Sequence, residues 1–107
     1  MTARPDPALT PGDYGPTLVP RHVTFGTKLA IYRAYKIPLL RRLRYTIDHL
    51  VPLEIGGTNA TTNLWPQPRR EAKIKDADED RLATEVRSKQ ITRHAAQAWI
   101  LAKWGAR

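Results

Sequence analysis

Between Arg69 and Trp104 the chain contains neither proline nor glycine, and every proline precedes that segment. Proline lacks the backbone N–H and glycine loses the most entropy on ordering, so a long stretch free of both and rich in Ala, Arg, Lys and Glu is committed to helix. Ser88-Lys89-Gln90 interrupts the pattern and Thr92 is a fitting N-cap, which divides the segment into two helices. Ile74, Ala77, Leu82 and Val86 outline an apolar stripe on the first. Ala95, Ala98, Trp99 and Ala102 share a face on the second.

The other end of the chain has the opposite character. Pro5, Pro7, Pro11, Pro16 and Pro20 in the first twenty residues point to an extended arm with little regular structure, taken here as residues 1–23. From Thr24 the spacing of Phe25, Leu29 and Tyr32 predicts a helix capped by Thr24 and stopped by Pro38. Tyr45-Thr46-Ile47 and Asn63-Leu64-Trp65 are short β-favouring runs separated by the turn material Gly56-Gly57-Thr58-Asn59. The expected order is arm, helix, β-turn-β, helix, helix. That is an α+β class with one two-stranded antiparallel hairpin, and 107 residues suit a single domain over residues 24–107.

Charge narrows the partner. Eighteen Lys and Arg against ten Asp and Glu give a net charge of +8, which favours an anionic partner, nucleic acid before a membrane surface. Lys28, Arg33, Lys36, Arg41, Arg42 and Arg44 form a basic run uninterrupted by any acidic residue, directly before Tyr45. It reads either as a solvated face or as a set of phosphate contacts. No apolar run is long enough to span a bilayer and the first residues lack a signal-peptide core, so a cytoplasmic location is expected and a membrane partner is not. The absence of cysteine excludes disulfides and a cysteine-based structural zinc.

Chemistry concentrates in YTIDHLVPLEIGGTNATTNLWPQP, residues 45–68. Phosphodiester hydrolysis requires a base to activate water and positive charge on the phosphorane and leaving oxygen. Where the strand bends into its loop, Asp48 is able to hold a hard cation through oxygen while His49 stays off the metal to take a proton. Asn63 is placed to close the loop through backbone groups or to offer its carbonyl to the site.

Asp48-His49-Leu50-Val51-Pro52-Leu53, Gly56-Gly57 and Asn63-Leu64 resemble the DH, P, GG and NL elements of HNH endonucleases, the ββα-metal or His-Me finger nuclease superfamily. The likeness extends to small bacterial HNH-like proteins with a DHLxPLExGG...NLWPxP segment followed by a helix bearing A..KD..E, here Ala72, Lys75, Asp76 and Glu79. The resemblance implies a ββα-metal core with flanking helices, DNA cleavage, His49 as general base, Asp48 as ligand of one divalent ion (Mg²⁺, with Mn²⁺ the alternative), and Asn63 as the brace of the loop. The position where many members carry a completing His or Asn is Ala72. Glu71 and Glu79 are then candidate second ligands, with Lys75 and Asp76 beside them.

Other readings of the same residues stand beside these. Lys75 and Glu79 have the spacing of a helix-surface ion pair, and Glu71 suits a helix start on electrostatic grounds alone. Trp65, Trp99 and Trp104 read as packing residues, and the Asn59 sequon as incidental. Asp76, Asp78, Glu79 and Asp80 form an acidic group expected to face away from phosphates unless a metal neutralises it. No base-reading helix is evident, so low sequence specificity, or specificity supplied by a protein partner, is expected on double-stranded DNA. A DNA-binding module that has lost catalysis and a component of a larger DNA-processing assembly are the alternative functions. Oligomeric state has no signature in the sequence.

Overall fold

The computed structural model describes residues 2–105; residue 1 and residues 106–107, the outer ends of the two expected segments, lie outside the described residues. Helix α1, Phe25–Ala34, begins where Thr24 Oγ1 accepts the Thr27 amide. It ends where Lys36 takes a left-handed φ of 57° and the Ile37 amide donates back to the Tyr32 carbonyl. A 3₁₀ segment, Leu39–Arg44, follows Pro38 and leads directly into strand β1, Tyr45–His49. After a broad loop, strand β2, Leu64–Pro68, returns antiparallel, with Tyr45 opposite Pro68, Ile47 opposite Pro66 and His49 opposite Leu64. Helix α2 spans Arg69–Arg87 and α3 spans Arg93–Trp104. The α+β expectation is met by this hairpin and its helices.

Two prolines in β2 are tolerated because residues two apart direct their backbone nitrogens to the same side. Both missing N–H groups therefore fall on one edge of the strand, away from the ladder with β1. The hairpin separates two apolar clusters. Ile31, Tyr32, Ile47 and Leu64 pack on the α1 side. Leu50, Val51, Ile55, Trp65, Leu82, Ala96, Ile100 and Trp104 pack between the loop, α2 and α3. Tyr35 touches both clusters. Each fully buried aliphatic side chain here is worth about 1.5–3 kcal/mol of transfer free energy.

Two expected helix faces are corrected. On α2, Ile74 is about half exposed, while Glu71, Lys75, Leu82 and Ala83 turn inward. A lysine holds an inward slot that apolar periodicity would assign to an aliphatic residue, because buried acceptors wait there. On α3, Ala95 and Ala98 are exposed and Trp99 is partly so, whereas Ala96, Gln97, Ile100 and Trp104 are buried. Alanine fits either environment, so the larger Ile100 and Trp104 decide which face enters the core. Trp99 instead lies under the Arg81 guanidinium, 4.4 Å from its ring centroid. The break between the helices falls where expected, with Lys89 at φ 62° and Thr92 Oγ1 capping the Ala95 amide.

Among its described residues the arm has no helix or strand, yet it is fastened along its length. The Ala3 amide donates to both Glu71 carboxylate oxygens, and Arg4 Nη1 to the Gly105 carbonyl. Thr10, fully buried, donates to the Leu64 carbonyl, and the Gly12 and Gly15 amides donate to Thr62 and Gly56. No helix among the described residues is long and apolar enough to cross a membrane.

The loop between the strands turns on two residues. Gly57 packs so closely that a Cβ would drive into the Val51 carbonyl, and Gly56 holds φ at 101°. Asn63, fully buried, accepts from the Val51 amide at 2.9 Å and from the Asp13 amide at 3.2 Å. Its Nδ2 donates to the Val51 and Thr58 carbonyls at 3.0 and 2.8 Å. All four bonds are to backbone, so the side chain substitutes for a strand partner the loop lacks. Asn63→Ala leaves these groups unpaired in the interior, and a loss of about 3 kcal/mol is expected in urea-induced unfolding.

Candidate functional site

A cleft of about 220 Å³ runs along β1 and is closed by α2 and the arm; Asp48, His49, Gln67, Asp76 and Glu79 line it, with Ala72 and Arg21. The α2 residues in the wall, 72, 76 and 79, recur at helical spacing. Glu71, one residue from Ala72 and so about 100° around the helix, points to the arm instead and does not line the cleft. Of the three candidate metal ligands, Asp48 and Glu79 are brought together and Glu71 is not.

What joins them is Lys75. Its side chain is fully buried, and its ammonium lies 2.9 Å from Asp48 Oδ2, 2.7 Å from Glu79 Oε1 and 2.9 Å from the His49 carbonyl. An ammonium has three donors, so the group is fully satisfied. The expected surface pair at i, i+4 is thus a buried one with a third charged member. Asp48 Oδ2 also accepts from Trp65 Nε1 at 2.9 Å. One cation between two carboxylates leaves an excess negative charge, and burial, with Asp48 nearby, pushes the Glu79 carboxyl up to about 7 despite Lys75.

His49 is buried, and that burial is the main cause lowering its pKa below the ordinary imidazole value; Arg21 and Lys75 act in the same direction. Its Nε2 is 2.9 Å from Asn59 Oδ1. The orientation of that amide follows from its other partners, since Oδ1 also accepts the His22 amide and Nδ2 donates to the Pro20 carbonyl. An oxygen that can only accept requires the proton on Nε2, which leaves Nδ1 as the nitrogen with the lone pair. Asn59 reads in the sequence as turn material, and Arg21 as one residue of the arm. Nothing local marks either, because the contacts that matter span 10 residues from Asn59 to His49 and 37 from His22 to Asn59.

The acidic group is divided. Asp76 and Glu79 face the cleft, while Asp78 accepts from Trp104 Nε1 and pairs with Lys103 at 2.8 Å. Of the basic run, Lys28 and Arg42 are half-buried and Arg33, Lys36, Arg41 and Arg44 are exposed; none lines the cleft. The Gln67 amide nitrogen, on the cleft wall, is buried without a hydrogen-bond partner among the described residues.

Among the described residues no three His, Cys, Asp or Glu side chains gather into a metal-binding group. Mg²⁺ is ordinarily held by one or two carboxylates, several waters and substrate phosphate rather than by an all-protein cage. Asp48 and Glu79 each commit one oxygen to Lys75 and retain another, and Asp76 lies beside them, so the oxygen donors fit a hard ion bound in that open manner. Comparison with protein-family models, with curated proteins and with solved structures gave no match.

A pH dependence follows from Glu79. Its folded pKa exceeds the unfolded value, so the folded state binds the proton first as pH falls through 7, and its contribution to stability grows between about pH 7 and pH 4.5. Relative to Glu79→Gln, the wild-type chain should therefore gain on the order of 2 kcal/mol from pH 8 to pH 5 in urea unfolding.

Proposed function

We propose that the chain is a metal-dependent endonuclease of HNH type acting on the phosphodiester backbone of DNA. The observation that carries this reading is His49: a buried imidazole kept neutral near physiological pH, fixed by Asn59 in the tautomer whose Nδ1 accepts a proton, on a cleft lined by hard carboxylate oxygens. A neutral, oriented imidazole is what a general base requires. Asp48 and Glu79, with Asp76 beside them, would hold a divalent ion, and when bound it would supply Lewis-acid stabilisation of negative charge developing at the phosphate.

The chain's own residues have the following roles in this reading. His49 Nδ1 takes the proton from the attacking water, and Asn59 holds the ring. Lys75 neutralises the inner carboxylate oxygens and, through the His49 carbonyl, ties the strand end to α2. Arg21 contributes positive charge at the cleft for a phosphate. The basic run from Lys28 to Arg44 supplies salt-dependent affinity without sequence selection.

A second reading has a specific observation in its favour. The Lys75 ammonium already provides a cation between Asp48 and Glu79, which suits a DNA-binding module that does not cleave. The discriminating experiment is conversion of supercoiled plasmid to nicked and linear forms with Mg²⁺, Mn²⁺ or EDTA. The nuclease reading expects metal-dependent cleavage that falls by about 10²–10⁴-fold in His49→Ala. DNA binding without cleavage in any metal transfers the assignment to the binding module.

The pH profile adds a finer test. At saturating metal, which keeps the Glu79 carboxylate ionised, His49 sets the acid limb, and because burial depresses its pKa that limb should lie below pH 6.5. In Asn59→Asp a carboxylate would stabilise the imidazolium, so the acid limb should move to higher pH. Asn59→Ala should lower kcat with little change in KM, as expected of a positioning residue.

A further inference from the structure

The 3₁₀ segment Leu39–Arg44 carries three leucines that belong to neither apolar cluster of the described residues. None of its residues is buried; Leu39 is 60% exposed, Leu40 95% and Leu43 73%. With three residues per turn, side chains at i and i+3 eclipse. Leu40 and Leu43 therefore form one ridge, Arg41 and Arg44 the next, and Leu39 and Arg42 the third.

This ridge is held in place. Arg69 Nε donates to the Leu43 carbonyl at 2.9 Å, the Arg41 amide to the Pro38 carbonyl at 2.9 Å, and the Tyr32 hydroxyl reaches the Arg42 and Tyr45 carbonyls at 3.5 Å. The Arg42 guanidinium lies 5.8 Å from the Phe25 ring centroid. Apolar side chains kept out of the core on a braced backbone form a surface built to be covered.

Charge identifies what covers it. No acidic residue occurs between Asp13 and Asp48, while Arg21, Lys28, Arg33, Lys36, Arg41, Arg42 and Arg44 do. The segment also runs straight into β1, so the ridge and His49 belong to one continuous piece of chain, spanning roughly 20 Å from Leu43 to His49 at strand rise. An apolar wedge flanked by arginines and adjoining a phosphate-directed cleft is the composition by which proteins open a base step from the minor groove.

We infer that Leu40 and Leu43 insert into the minor groove of duplex DNA and unstack a base step, with Arg41, Arg42 and Arg44 on the flanking phosphates. The inference rests on the nucleic-acid reading for its partner but not on hydrolysis. It narrows the substrate to deformable duplex, with flexible pyrimidine–purine steps preferred over stiff A-tracts.

The test uses the full chain carrying His49→Ala, in EDTA so that the duplex stays intact, and a duplex with 2-aminopurine at a central TA step. Binding should raise the 2-aminopurine fluorescence. Adding Leu40→Ala and Leu43→Ala should abolish that rise and weaken affinity about tenfold, while leaving the salt dependence unchanged because the phosphate contacts remain. Circular dichroism melting checks that the variant stays folded. Binding with no fluorescence change, or a rise that survives in the leucine variant, overturns the wedge and leaves the nucleic-acid reading standing. No duplex binding at ~50 mM salt, where phosphate-driven affinity is strong, removes both. Leucine-dependent binding to phosphatidylserine vesicles without duplex unstacking overturns the inference in favour of a lipid surface.

Discussion

A buried ammonium ion organises this small protein. Lys75 has no exposed side-chain surface, and its three donors are taken by a carboxylate from β1, a carboxylate from its own helix and the carbonyl at the end of β1. Burying such a charge without partners costs several kcal/mol, so the packed fold requires all three acceptors where they are. The same bonds hold α2 against the hairpin and place Asp48, Asp76 and Glu79 on one cleft. The polar arrangement that the site needs and the helix-to-sheet packing that the fold needs are one set of contacts.

The arm has a corresponding part on the other side of the cleft. Pro20 and His22 orient the Asn59 amide, and that amide sets which imidazole nitrogen of His49 carries the proton. Asn63 does for the loop backbone what Asn59 does for the imidazole. One amide satisfies peptide groups of the loop and arm, and the other converts the course of an irregular arm into the tautomer of a ring. A short two-stranded sheet has too few ladder bonds to specify such positions alone, and side-chain amides supply them.

Legibility in the sequence followed the range of the interactions. Thr24 and Thr92 as caps and the break at residues 88–90 depend on neighbours a few residues away, and each was readable from composition; α1, expected to run to Pro38, instead ends at Ala34, where Lys36 turns the chain at a left-handed φ. Pairing of the two strands was readable from β-favouring runs around a Gly-Gly turn, but the bounds of the second were not: Asn63 ends a 3₁₀ turn, and β2 continues through Pro66 to Pro68 because both proline nitrogens face away from the ladder. The inward faces of α2 and α3 were not, because Lys75 and Ala96 carry no apolar signal that would mark them as interior. Glu71 shows the same limit. Its position at the start of α2 is what a metal ligand or a helix-dipole residue would have, and only the course of the arm shows it bonded to the Ala3 amide.

The sequence by itself determined the order of the helices and strands, the start of α1, the bounds of α2 and α3, and the concentration of Asp48, His49 and Asn63 in one turn-rich stretch, because proline, glycine and capping residues act through local backbone geometry. Only the tertiary structure decided that Lys75 lies between Asp48 and Glu79, that Arg21 and Asn59 belong to the cleft, and that Leu40 and Leu43 stand outside the core. Those outcomes depend on which distant groups are brought into a shared low-dielectric interior. There the energy of a charge or an amide is set by its partners rather than by its place in the chain.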